Sequence, residues 1–163
     1  MLIDQEGRFA GHASIFGIAD QGGDIVMPGA FARSLQEKGR DRIRLLFQHD
    51  PKRPVGRIVR LFEDDRGLRV EGQLLTDVPA ALSLRNLVAG GALDGLSIGF
   101  RTVRATRDRA SGLRRLWQVD LWEISLVTFP MMERARIADA GGSAASDQLR
   151  QRMADAIGLV SAH

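Results

Sequence analysis

The sequence predicts a mainly β fold: a closed or nearly closed, mostly antiparallel barrel of about seven strands, with helices inserted between strands and lying outside it. Three observations point there. Short apolar or alternating segments recur along the chain, each bounded by Gly, Pro or Asp clusters. Two of them, 55–62 and 68–75, alternate on either side of Glu63-Asp64-Asp65-Arg66-Gly67, the pattern of a β-hairpin. Two internal segments have helical spacing, too few for the regular strand–helix alternation of a doubly wound sheet.

In chain order, 8–16 reads as a strand ending at Gly17, and Gln21-Gly22-Gly23-Asp24 as a turn. A short extended piece, 25–27, is closed by Pro28-Gly29. Residues 30–38 read as a helix, with Phe31, Ser34, Leu35 and Lys38 at helical spacing and Gly39 as its stop. The apolar run 43–47 suits a buried strand and leads into Gln48-His49-Asp50-Pro51. After the hairpin, 78–89 is the clearest helix: Pro79 sits early, Leu82, Arg85, Asn86 and Ala89 share a side, and Gly90-Gly91 ends it. Strands are expected over 96–105, 113–119 and 121–129, the last stopped by Pro130. The composition then shifts. Residues 1–138 are expected to form one domain; 139–163 a Gly/Ser/Ala-rich linker and a tail, with a helix over 147–159.

The chain's 163 residues suffice for one domain with a proper core. With no cysteine it has no disulfide, thiol nucleophile or thiolate metal site, which suits an intracellular protein. No apolar run approaches the roughly 20 residues of a membrane span, and the N-terminus lacks the layout of a secretory signal. The net charge is only +3 although the pI is near 10.4. All but two of the 23 basic residues are arginine, which keeps its charge to very high pH. The arginines are spread out with no interleaved aromatic platform, so nucleic-acid binding is not the favoured reading. No metal-ligand spacing or phosphate loop is visible, and no cofactor is expected.

Three residues invite chemistry. His49 follows a buried-looking strand and titrates near neutrality, so it suits a general base and, equally, a hydrogen-bonded turn. Ser97 lies in Gly95-Leu96-Ser97-Ile98-Gly99-Phe100, where flanking glycines admit close backbone approach. Taken alone, a serine in a strand is usually structural. These residues fit G-x-S-x-G, but the strand-like stretch after Ser97 and the absence of a later histidine before the chain's last residue argue against an α/β-hydrolase elbow. Glu123 is the one charge in an otherwise apolar strand and needs a partner there. On the sequence alone an arginine is favoured; the alternative is His49, oriented as in a Ser-His-acid triad. His12, in the first strand, reads as structural.

Several segments together resemble the prohead protease family of tailed phages and related gene-transfer particles. They are Gly29-Ala30-Phe31, Leu46-Phe47-Gln48-His49-Asp50, Pro54-Val55-Gly56-Arg57 and Glu63-Asp64-Asp65-Arg66-Gly67-Leu68, then Leu93-Asp94-Gly95-Leu96-Ser97-Ile98-Gly99-Phe100 and Leu121-Trp122-Glu123-Ile124-Ser125-Leu126-Val127-Thr128-Phe129-Pro130. Each is modest alone; all six in this order are specific, and they run from about Gly11 to Ile137. The resemblance implies a distant kinship with herpesvirus capsid proteases and their seven-stranded barrel ringed by helices. It implies a serine endopeptidase with Ser97 as nucleophile and His49 as base. Glu123 stands where the herpesvirus enzymes have a second histidine. The resemblance does not identify the oxyanion donors; a backbone N–H near Ser97, aided by Arg114 or Arg115, is one candidate. The implied substrate is the N-terminal scaffolding segment of the major capsid protein, cut inside the immature shell in the bacterial host cytoplasm. Self-cleavage in the 141–146 linker and a homodimer are further expectations. The competing reading is a catalytically silent internal scaffold of the same fold.

Overall fold

The structure, a computed structural model of the chain, describes residues 1–140. Eight strands form one sheet: β1 (Arg8–Ile15), β2 (Asp24–Val26), β3 (Arg44–Phe47), β4 (Asp50–Glu63), β5 (Gly67–Leu74), β6 (Gly95–Arg107), β7 (Arg114–Val127) and β8 (Ile137–Asp139). Two α-helices are inserted, α1 (Ala32–Lys38) and α2 (Pro79–Ala89). The strand order is β2-β7-β3-β4-β5-β1-β8, with β6 on the other edge of β7. All pairings are antiparallel except β2 and β3 with β7.

The sheet curls around a core of Phe9, Leu45, Leu68, Val70, Leu74, Leu96, Leu116, Leu121, Ile124 and Leu126, all essentially buried. Alternation along the strands, reset in β7 by the register shifts of its ladder with β6, puts them on one concave face. The ring is not fully closed. At one end β8 pairs with β1 and its neighbour Arg136 bridges Gly95, so a few backbone bonds join β1 to the start of β6. Beyond that point β6 leaves with β7 as a long hairpin.

The expected hairpin is present as β4–β5, but β4 begins at Asp50, separated from the end of β3 by only two residues. Pro51 and Pro54 sit in its first residues, where the β3–β4 register shifts and no ladder donor is needed at each position. The two strands expected over 113–119 and 121–129 are one, β7. Asp120, between the two expected segments, continues the strand: it takes an ion pair from Lys38 and a hydrogen bond from Trp122 Nε1 (2.9 Å). α2 buries Ala81, Leu84 and Val88 and leaves Leu82 and Leu87 exposed, so its inner face is rotated from the expected one. β8 was not expected. It includes Asp139, the first residue of the expected linker; residues 141–163 lie outside the described residues.

His12 is buried in β1, and its Nε2 bonds Asp64 Oδ2 at 2.7 Å. Asp64 also accepts the backbone N–H groups of Arg66 and Gly67 and so shapes the β4–β5 turn. Burial pushes its carboxyl upward, but the bonds from His12 and from those two N–H groups outweigh it and hold the pKa below the ordinary value. A depressed folded pKa contributes stability above the unfolded value, lost as pH falls through the folded one. Asp64→Asn is therefore expected to lower stability at pH 7 by about 1–2 kcal/mol, allowing for partial exposure. The deficit should narrow as pH falls below about 3.9. Urea unfolding across this range checks it; a deficit independent of pH would contradict it.

Candidate active site

β7 is the axis of the site. β3 runs parallel along one edge, with Arg44 opposite Glu123 and Leu46 opposite Ser125. β6 runs antiparallel along the other, with Ser97 opposite Ser125 and Gly99 opposite Glu123. Directly opposite residues share a face and lie about 4.5–5.5 Å apart. A Cβ built on Gly99 would fall 2.2 Å from Glu123 Oε1, so the glutamate side chain lies across the bare backbone of Gly99. Residues 97 and 99 share a face by strand period. Ser97, Glu123 and Ser125 therefore point to one side, away from the core positions Leu96, Ile124 and Leu126.

His49 reaches this face from a two-residue turn. β3 ends at Phe47, β4 starts at Asp50, and Phe47 pairs with Asp50. Gln48 (φ 54°) and His49 (φ 57°) are both left-handed, as a type I′ turn requires of its central residues. Such turns favour Asn and Gly; neither residue here is one. Each left-handed L-residue costs roughly 1–2 kcal/mol. Strain is held by specific bonds: Gln48 N–H to Leu126 O (2.9 Å), Gln48 Nε2 to Thr128 Oγ1 (2.7 Å) and His49 N–H to Ser125 Oγ (3.0 Å).

From this turn His49 Nδ1 meets Glu123 Oε1 in a short hydrogen bond. The other carboxylate oxygen, Oε2, accepts the Ser125 hydroxyl at 2.6 Å. The bond to Glu123 raises the His49 pKa above its ordinary value, burial opposes the rise, and the attraction of the carboxylate adds to it. A proton shared on the Nδ1 side leaves Nε2 with the lone pair in the neutral ring, pointing away from the carboxylate. The His49 side chain is 41% exposed and that of Glu123 12%. Ser97 and Ser125 are both buried, Ser125 completely. Among the described residues no hydrogen bond joins Ser97 to His49. A cavity of about 160 Å³ is bordered by Ser97, with Val26, Phe100, Met131 and Met132 as apolar walls and Asp20 and Asp24 as carboxylates along it.

The structure thus brings Glu123 to His49, not to an arginine. The arginine expectation failed because the partner is supplied by a turn 74 residues earlier in the chain. The strand after Ser97 continues to Arg107, which excludes a nucleophile elbow. Among the described residues no hydrogen bond joins Arg114 or Arg115 to Ser97, although Asp24, the partner of Arg114, borders the same cavity as Ser97. The two arginines pair with Arg107 and Thr106 at the far end of the β6–β7 hairpin, and Arg114 is held bidentately by Asp24 (2.6 and 2.7 Å). Two residues of the site were missed: Ser125 and, for its role under the carboxylate, Gly99. The period-2 spacing of Glu123 and Ser125 was the available signal for the first. No group of three or more His, Asp or Glu suited to a metal occurs among the described residues.

Comparison with known proteins agrees in outline. The Caudovirus prohead serine protease family matches residues 2–149. The chain is 36% identical over 136 residues to the prohead protease of Enterobacteria phage HK97, covering 82% of this chain and 60% of that protein. It is 31% identical over 135 residues to the prohead protease of Escherichia phage T5, covering 78% and 62%. The chain therefore spans about three fifths of these curated relatives. Its fold is similar to that of the bacteriophage T4 capsid assembly protease (TM-score 0.60, 10% identity, 76% of this chain and 82% of that one). It is also similar to the varicella-zoster virus protease (TM-score 0.54, 14% identity, 91% and 76%). The herpesvirus-type fold expected from the sequence is thus present, as an incompletely closed sheet.

The geometry makes Gly99→Ala a selective probe. Its methyl would occupy the space of the Glu123 carboxylate, so the His49 pKa is expected to fall toward 6.5. Glu123→Gln should lower it likewise. Titration of the His49 ring by NMR checks both, and an unchanged pKa in either variant would contradict the contact.

Proposed function

The chain belongs to the Caudovirus prohead serine protease family, and on that premise we propose that it is a serine endopeptidase of capsid maturation. The observation that carries this reading is the bond from His49 to Glu123 on the sheet face that also bears Ser97. In the proposed reaction His49 Nε2 takes the proton of Ser97 Oγ as that oxygen attacks the scissile carbonyl. Glu123 keeps the ring oriented and stabilises the imidazolium. The tetrahedral adduct collapses, His49 returns the proton to the leaving amine, and Ser97 retains the acyl group as an ester. Water, deprotonated by His49, then releases the acid and restores the serine. The cavity beside Ser97, mostly apolar but bordered by Asp20 and Asp24, offers room for a substrate side chain.

The proposed substrate is the N-terminal scaffolding segment of the major capsid protein, cut within the immature shell of a tailed phage or gene-transfer particle inside the bacterial host. Self-cleavage after the described domain, in the 141–146 segment, belongs to the same proposal, as does a homodimer as the working form. The domain boundary near 138 and a packaging role for the tail are part of it too.

Co-expression with the major capsid protein of the same particle tests the reading, with the mass of that protein as readout. The wild type should shorten it and Ser97→Ala should leave it full length, a loss of about 10⁴-fold or more in rate. Equal trimming by both would remove Ser97 from the mechanism. No trimming by either, with normal shells assembling, would favour an internal scaffold. The pH profile is a second check. Only neutral His49 can act as base, so kcat/KM should rise with pH through a value above 6.5. In Glu123→Gln that rise should move to lower pH and the plateau should drop about 10²–10⁴-fold. An acid limb at the same pH in both proteins would contradict the assignment.

A further inference from the structure

We propose that Ser125 is a positioning residue of this site, its hydroxyl fastening the backbone of His49 and the carboxylate of Glu123 into one unit. The proposal deepens the protease reading and rests on it. Ser125 Oγ accepts the His49 N–H at 3.0 Å and donates its own proton to Glu123 Oε2 at 2.6 Å. One side chain thus serves both partners of the His49–Glu123 bond. By occupying Oε2 it turns Oε1 toward Nδ1. By accepting the His49 N–H it satisfies the one amide of the left-handed turn that no backbone carbonyl takes.

Its place in the sheet fits no other role in the reaction. Ser125 is completely buried and its proton is committed to a carboxylate, so it is not poised to attack a substrate. It lies directly opposite Ser97 and two residues from Glu123 on the same strand face. Movement of the β3–β4 turn relative to β7 would therefore be felt at the same hydroxyl that holds the acid. Without the hydroxyl, the His49 amide and Glu123 Oε2 both lose a partner that is completely buried beneath the half-exposed ring. The turn then has less to offset its two left-handed residues.

Ser125→Ala is the test, with Ser97, His49 and Glu123 left in place. The expected result is a fall in kcat of about 10–100-fold with KM little changed, the signature of misplacement and not of lost substrate contact. The His49 ring should titrate closer to 6.5 than in the wild type. A kcat and a His49 titration both equal to the wild type would overturn the proposal. A measurement on the wild type serves even if the variant does not fold: the His49 amide should exchange slowly with solvent. Exchange at the rate of an open turn would overturn it. The titration and exchange need no substrate, so they can fail while Ser97-dependent cleavage succeeds. Conversely, cleavage unaffected by Ser97→Ala would sink the protease reading and leave the Ser125 contacts standing.

Discussion

Two consecutive left-handed residues, neither of them glycine, are the constraint around which the site is arranged. Gln48 and His49 reverse the chain between β3 and β4 in the tightest way available, and that reversal turns the imidazole back over β7. The conformation is unfavourable for both, so it persists only because β7 supplies what the turn lacks: the carbonyl of Leu126, the hydroxyl of Thr128 and the hydroxyl of Ser125. Strain held in place by surrounding bonds is a common mark of functional positions. Here it fixes the one ring whose protonation the chemistry would use.

The same strand organises everything else. β7 takes β3 in parallel and β6 antiparallel, and its neighbours across those two ladders are the turn that carries His49 and the position that carries Ser97. α1 secures β7 just upstream of Glu123. Ser34 Oγ accepts the Leu121 N–H at 2.9 Å, and Lys38 reaches both Asp120 and the Leu121 carbonyl. The inner face of the strand, Leu121, Ile124 and Leu126, is part of the core. The register shift at Gly99/Phe100, where β7 carries one extra residue between Leu121 and Glu123, resets the alternation, and pleating from there on sends Glu123 and Ser125 outward as a pair. Gly99 gives the carboxylate room by having no side chain. Core packing on one face and acid–base geometry on the other are thus two consequences of one register, which a single-residue slip would destroy.

Local patterns were legible in the sequence where local rules apply. The β4–β5 hairpin follows from alternation around an Asp-rich turn, and α2 from Pro79 and the Gly90-Gly91 stop. His49, Ser97 and Glu123 were singled out on residue type and position, and the family resemblance gave them roles. What escaped was non-local. Gln48-His49 has none of the Asn or Gly chemistry that signals a tight hairpin, so the strand start at Asp50 was invisible. Glu123 seemed destined for an arginine because arginines are abundant, whereas its partner is set by the parallel pairing of β3 with β7. Ser125 looked like an ordinary strand serine, since its two bonds exist only once three strands are assembled. β8 is three residues long and carries no periodicity; only its pairing with β1 defines it.

Covalent trapping is the most direct test of the central claim, that His49 and Glu123 form with Ser97 one acyl-transfer unit. The protein would be incubated with a fluorophosphonate and the modified serine located by mass spectrometry of its peptides. The account predicts a label on Ser97, and its loss in His49→Ala, because the attacking oxygen needs the base. A label on Ser125, or labelling of Ser97 undiminished without His49, would contradict it.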